Sequence, residues 1–104
     1  MPKRPNPTKQ RPIMALLDLL GRRWTLRLLW ELRDGALTFR GLRAATEDVS
    51  PSVLNERLAE LRAHALVELT EDGYALTERG RTLSPLLLDL DGWARKHRFG
   101  DHDA

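Results

Sequence analysis

The stretch that most constrains this chain begins at Ser50-Pro51. A serine hydroxyl can accept from the orphan amides of a first helical turn. Proline suits the first helical position because the amide it lacks had no partner there. Downstream, Leu54, Leu58, Leu61 and Ala65 recur at spacings of four, three and four, which lays one narrow buried stripe along a helix over residues 50–65.

What flanks that helix decides its use. Apolar residues at Leu16, Leu17 and Leu20 predict a helix over 13–20, with Gly21 breaking or bending it. Leu28, Leu29 and Leu32 fall together on a second helix over 24–32, stopped by Asp34-Gly35. Residues 36–38 read as extended. A third helix over 39–45 carries Phe39, Leu42 and Ala45, and a turn over 46–49 leads into Ser50. After the helix, Val67 and Leu69 alternate with polar residues, Asp72-Gly73 is a two-residue turn signal, and Tyr74 and Leu76 alternate back. That turn pairs Glu71 with Tyr74 and Leu69 with Leu76, placing Val67, Leu69 and Leu76 on one face. Thr77 is a plausible cap for a last helix that carries Leu83, Leu86, Leu87, Leu90 and Trp93 to about residue 97. Pro85 predicts a kink or a fresh start within it. A short helix, a tight turn, a capped longer helix and a hairpin describe a winged helix-turn-helix, a mainly α fold with a small β-hairpin and additional helices at both ends. In that arrangement the helix over 50–65 is the recognition helix, which would lie in the major groove. A small helical bundle with an incidental hairpin is the plainer alternative.

With 104 residues and 41% hydrophobic content, the chain can hold one modest core. It has no cysteine, which excludes disulfides, thiolate zinc sites and thiol switches. No apolar run approaches the ~20 residues that span a bilayer. Asp18 interrupts the apolar stretch after the basic start, and Gly21-Arg22-Arg23 stands where a signal peptide needs small residues. The chain therefore reads as cytoplasmic, with no membrane partner. Its formal charge is +2 and its isoelectric point about 9.5, a mild pointer to nucleic acid. The charge is unevenly placed. Lys3, Arg4, Lys9 and Arg11 make residues 1–12, broken by Pro2, Pro5, Pro7 and Pro12, an expected disordered basic arm. Residues 13–97 make the domain, and residues 98–104 a polar tail.

Gly21-Arg22-Arg23-Trp24-Thr25, then Leu37-Thr38-Phe39-Arg40-Gly41-Leu42-Arg43, then Val49-Ser50 with Leu54, Leu58 and Leu61 resemble the HxlR-type family of bacterial winged-helix regulators. Ala65-Leu66-Val67, the run from Tyr74 to Arg81 and Trp93 continue the likeness across residues 13–97. The resemblance implies a homodimeric DNA-binding transcription factor whose terminal helices build the dimer. This chain has Thr38 where the family commonly has a basic residue and Ser52 where it often has Lys or Arg. Its hairpin tip is cut to Glu71-Asp72-Gly73. Some members sense oxidants through an N-terminal cysteine, a mechanism that a chain without cysteine lacks.

If Leu54, Leu58, Leu61 and Ala65 point inward, Ser52, Glu56 and Ala59 point outward with Asn55 beside them, and Arg57 and Arg62 lie on the flanks. In a major groove Asn can bond adenine bidentately and Glu can accept from the cytosine amino group. Base reading is therefore expected at Ser52, Asn55 and Glu56, with Ser50 at the helix start and phosphate contacts at Arg40, Arg43 and Arg57. Solvated helix residues are the alternative. Residues 38–65 carry no net charge, so affinity would lean on dimerisation and on the basic arm at 3–11. Leu83, Leu86, Leu87, Leu90 and Trp93, with Ile13, Met14 and Leu17, are the expected dimer seam, internal packing being the alternative. A two-fold seam predicts a pseudo-palindromic operator in double-stranded DNA, and a small dimer without an activation surface most simply represses.

Other chemistry is thin. His64, His97 and His102 lack metal-ligand spacing, and neither GxSxG nor a phosphate-binding glycine loop occurs. No cofactor, metal or catalysis is expected. Trp24, Trp93 and Tyr74 could line a pocket for an aromatic or aldehyde effector, or be core. A winged-helix protein–protein module with weak or lost DNA binding is the alternative function, favoured by the neutral helix-turn-helix and acidic hairpin tip.

Overall fold

The computed structural model describes residues 11–47 and 49–100. Its elements run α1 (Pro12–Leu20), α2 (Thr25–Glu31), α3 (Phe39–Thr46), α4 (Pro51–Ala63), β1 (Val67–Thr70), β2 (Gly73–Leu76), α5 (Glu78–Arg81) and α6 (Ser84–Lys96). This is a winged helix-turn-helix, mostly helical with one antiparallel hairpin. Its core gathers Leu28, Leu29 and Leu32 from α2 and its C-terminal cap. Leu42 of α3 and Leu54, Leu58 and Leu61 of α4 join them, closed over by Val49, Leu66, Val67 and Leu76.

The caps follow the chemistry of the sequence. Ser50 sits in an extended conformation and its Oγ accepts from the amide of Val53 at 3.2 Å. Thr38 does the same for α3, its Oγ1 accepting from Gly41 at 3.0 Å. The cap gives this threonine a structural role of its own.

Helix boundaries differ from the sequence expectation in ways that local geometry explains. Pro12, expected in the arm, opens α1, because a residue without an amide costs nothing at a first helical turn. Residues 1–10, which carry the rest of the expected arm, and 101–104 of the expected tail lie outside the described residues. In α1 the buried residue is Leu19, while Leu17 is exposed and Leu16 and Leu20 are half-buried. Trp24 is not the first residue of α2 but its N-cap, left-handed at φ 80°. Thr46, expected in the turn, closes α3 and is buried, its hydroxyl donating to the Leu42 carbonyl at 2.9 Å. The turn into α4 starts one residue later, at Glu47 with φ 69°.

Ala65 is not on the buried stripe of α4. It is exposed and left-handed at φ 59°, because the helix ends in a Schellman motif. Leu66 donates its amide to the Leu61 carbonyl and Ala65 to that of Arg62, both at 2.9 Å. Thr77 locks this end to the hairpin: its Oγ1 donates to the Ala65 carbonyl at 2.6 Å and accepts from Gly80 at 2.9 Å.

The hairpin register also differs. Val67 pairs with Leu76, Leu69 with Tyr74 and Thr70 with Gly73, so the two loop residues are Glu71 and Asp72. The Thr70 hydroxyl accepts from the amide of Asp72 and donates to the Gly73 carbonyl, fixing the turn one residue earlier than Asp72-Gly73. Tyr74 and Leu37 exchange both backbone hydrogen bonds, at 2.8 and 2.9 Å. Gly73 (φ +116°) permits this approach, since a Cβ there would lie 2.5 Å from the Leu37 carbonyl oxygen. The two-residue change keeps Leu69 on the face of Val67, yet it overhangs the core and is exposed.

Of the two outcomes expected at Pro85, the structure shows the fresh start. Thr77 caps the short α5, and α6 begins anew at Ser84-Pro85. Phe99, within the expected polar tail, packs against Trp93 with ring centroids 5.5 Å apart.

Candidate nucleic-acid interface

The core grips α4 along one edge only. Leu54, Leu58 and Leu61 are buried, whereas Ser52, Asn55, Glu56, Ala59 and Arg62 are all exposed. Ser50 and Ser52 lie together at the helix start, their hydroxyl oxygens 3.4 Å apart. Arg40 and Arg43 are exposed on α3, three residues apart and so on one face. Arg43 reaches the entry of α4, its Nε donating to the Val49 carbonyl at 3.4 Å. The turn thus brings Arg43 beside the start of α4, where Ser50 and Ser52 lie.

Arg57 stands apart from this group. Its side chain is only 12% exposed. Its Nε donates to the carbonyl of Arg23 at 2.8 Å, and its Nη1 meets Glu56 at 2.7 Å and Glu60 at 3.4 Å. Expected at phosphate, it instead ties α4 to the α1–α2 turn. Glu60 is also held by Arg22 at 3.3 Å.

These pairs sort a neutral segment into two parts. Glu56 and Glu60 are bound to cations, while among the described residues Arg40, Arg43 and Arg62 form no ion pair. Arg22, from outside the segment, thus offsets one of its acids, while Glu47 stands exposed in the turn before α4. Arg23, exposed and 5.5 Å from the Trp24 ring centroid, is also next to the recognition helix. Its position in the run Gly21-Arg22-Arg23-Trp24-Thr25 carries no local signal of that contact, which forms only when α4 packs on the α1–α2 turn.

The second feature is an open apolar face. Leu86, Leu90 and Trp93 on α6 are each more than half exposed, as are Ile13 and Leu17 on α1. Met14 is half-buried. Leu83 and Leu87, expected in the same seam, pack against the molecule's own core. Leu26, Leu88 and Phe99 are exposed apolar residues that helical spacing did not single out. The three aromatics considered for an effector pocket have different surroundings. Trp93 stacks on His97 at 4.2 Å, Tyr74 is bridged to Leu37, and Trp24 packs on the core.

The model of the HxlR-like helix-turn-helix family matches residues 19–101. The chain belongs to the HxlR-like helix-turn-helix family. As an HxlR-like protein it is a DNA-binding transcriptional regulator. The uncharacterised HTH-type transcriptional regulator YvaP of Bacillus subtilis is 32% identical over 85 residues, which cover 75% of this chain and 79% of that protein. HTH-type transcriptional regulator YodB of the same bacterium is 34% identical over 87 residues, 77% of this chain and 78% of that one. Quinone-bound YodB superposes with a TM-score of 0.75 at 31% identity, covering 81% of this chain and 96% of that one. The redox regulator HypR in its reduced form gives 0.74 at 30% identity, with 86% and 95% covered. No helix among the described residues is long and apolar enough to cross a membrane. No group of three or more His, Asp or Glu among them could hold a metal ion.

Proposed function

We propose that this HxlR-like regulator acts in the cytoplasm as a homodimer that sits across a pseudo-palindromic operator in double-stranded DNA and represses transcription. The observation that carries this reading is that two exposed surfaces occur on one small molecule. One is the exposed edge of α4, with Ser52, Asn55 and Glu56 flanked by Ser50, Arg40 and Arg43. The other is the apolar face of Leu86, Leu90 and Trp93 with Ile13 and Leu17. The first fits a major groove, where Asn55 can read adenine and Glu56 cytosine, and the arginines can meet phosphate. Pairing the second across a two-fold axis would set two recognition helices about 34 Å apart, one turn of DNA. The basic residues of the arm at 3–11 would add phosphate contacts to those of Arg40 and Arg43.

YodB is described in a quinone-bound form and HypR as a redox regulator. The present 104 residues contain no cysteine, so thiol chemistry supplies no switch within them. An electrophoretic shift and footprint with the DNA flanking the protein's own gene tests the reading. Protection of two half-sites one turn apart is expected. No shift at low salt overturns it in favour of a protein–protein module.

A further inference from the structure

Against α1 lies a cleft of about 380 Å³, lined by Pro12, Ala15, Leu16 and Leu19 of α1, by His64 and Leu66 at the end of α4, and by Arg79, Thr82 and Leu83. That volume falls in the range of small-ligand pockets, roughly 300–1,000 Å³. The leucines make an apolar floor, with Leu19 and Leu66 buried and Leu16 and Leu83 half-buried. The side chains that can carry charge, His64 and Arg79, are both basic and both exposed, and no acid lines the cleft. Neither forms an ion pair among the described residues, although Arg22, Arg27, Arg33, Arg57 and Arg95 do. The adjoining cleft beyond His64 contains Asp18 and Glu60, and Glu60 is already held by Arg22 and Arg57.

We propose that this cleft binds a small apolar carboxylic acid, its hydrocarbon part against the four leucines and its carboxylate between Arg79 and His64. An apolar floor beneath uncompensated donors selects an amphipathic anion. The floor gains from dehydrating hydrocarbon, and an arginine at its rim supplies the paired donors that a carboxylate accepts from. A neutral ligand leaves the Arg79 guanidinium unpaired, and a small hydrophilic anion leaves the floor empty. An occupant touches α1, the Schellman end of the recognition helix and the α5–α6 link together.

The test is a titration of the ¹⁵N-labelled full chain, without DNA, using benzoate and octanoate, with benzamide as the neutral counterpart of benzoate. Either acid is expected to give saturable shifts at the amides of Ala15, Leu19, Leu66 and Thr82. Arg79→Gln and His64→Gln, both at exposed positions, are expected to weaken binding by about tenfold, the size of a lost charge-assisted hydrogen bond. The proposal is overturned if neither acid saturates, if benzamide binds as well as benzoate, if the shifts map elsewhere, or if both variants bind like the parent. Because no DNA is present, failure here is separate from failure of the operator reading.

Discussion

Arg57 and Arg23, thirty-four residues apart, are joined by a 2.8 Å hydrogen bond from the Arg57 Nε to the Arg23 carbonyl. The bond fixes the recognition helix against the α1–α2 turn, and the ion pairs from Arg57 to Glu56 and Glu60 brace it from the other side. The orientation of α4 is thus set by a polar clamp as well as by its leucine edge.

Removing that clamp should show as instability first. Arg57→Ala takes away a charged donor that is almost wholly covered and is expected to cost about 1.5–3 kcal/mol. Arg57→Lys should recover only part of this, because an ammonium lacks the planar fork. Urea unfolding checks both, and a loss below about 0.5 kcal/mol, the level of an ordinary surface substitution, would show the clamp to be idle.

Gly80 is buried where α5 crosses the end of α4, and a Cβ there would collide with the Leu66 carbonyl oxygen. The obstacle is backbone, so no side chain can turn aside. Gly80→Ala should destabilise by about 1–3 kcal/mol, the range for overpacking a rigid site. A thermal melt reads this directly, and an unchanged Tm contradicts the packing described.

The proposed groove contacts separate by their salt dependence. Asn55→Ala should weaken operator binding by about 1–3 kcal/mol and relax preference at one base pair, leaving the slope of log affinity against log salt unchanged. Arg40→Ala should weaken binding to all sequences alike and reduce that slope by about one. Fluorescence anisotropy at several salt concentrations distinguishes them. If Asn55→Ala lowers specific and non-specific affinity equally, it does not read a base.

Leu90 is 59% exposed on α6, so Leu90→Asp should leave the isolated fold nearly unchanged while placing a charge in the proposed seam. Sedimentation is expected to show a dimer for the parent chain and a monomer for the variant, with operator affinity falling in step. A parent chain that sediments as a monomer at micromolar concentration excludes the dimer proposal.

Much of the helix-turn-helix was legible in the sequence because it rests on local chemistry. Ser50-Pro51 makes a helix start wherever it stands, and Leu54, Leu58 and Leu61 can share only one face. Elements decided by contacts between distant residues were less legible. The hairpin turn falls at Glu71-Asp72 because Thr70 bonds across it and Leu37 approaches Gly73, and neither partner is part of the turn dipeptide. Ala65 matches the leucine spacing but lies beyond a helix that the Leu61–Leu66 bond ends. In the candidate site, outward spacing located Ser52, Asn55 and Glu56 on the exposed edge. Nothing in the order of residues revealed that Arg57 turns back to a carbonyl in the α1–α2 turn.

The succession of elements, the residues able to cap them and the supply of charge follow from side-chain chemistry within a few positions along the chain. How the charges are used depends on packing. It placed Glu56 and Glu60 against Arg57 and Arg22, left Arg40 and Arg43 exposed beside the start of α4, and folded Leu83 and Leu87 inward while Leu86, Leu90 and Trp93 stayed open. The physical reason is range. Caps and stripes form within a helical turn or two, whereas an ion pair or an exposed face exists only once packing has brought distant segments together or left them apart.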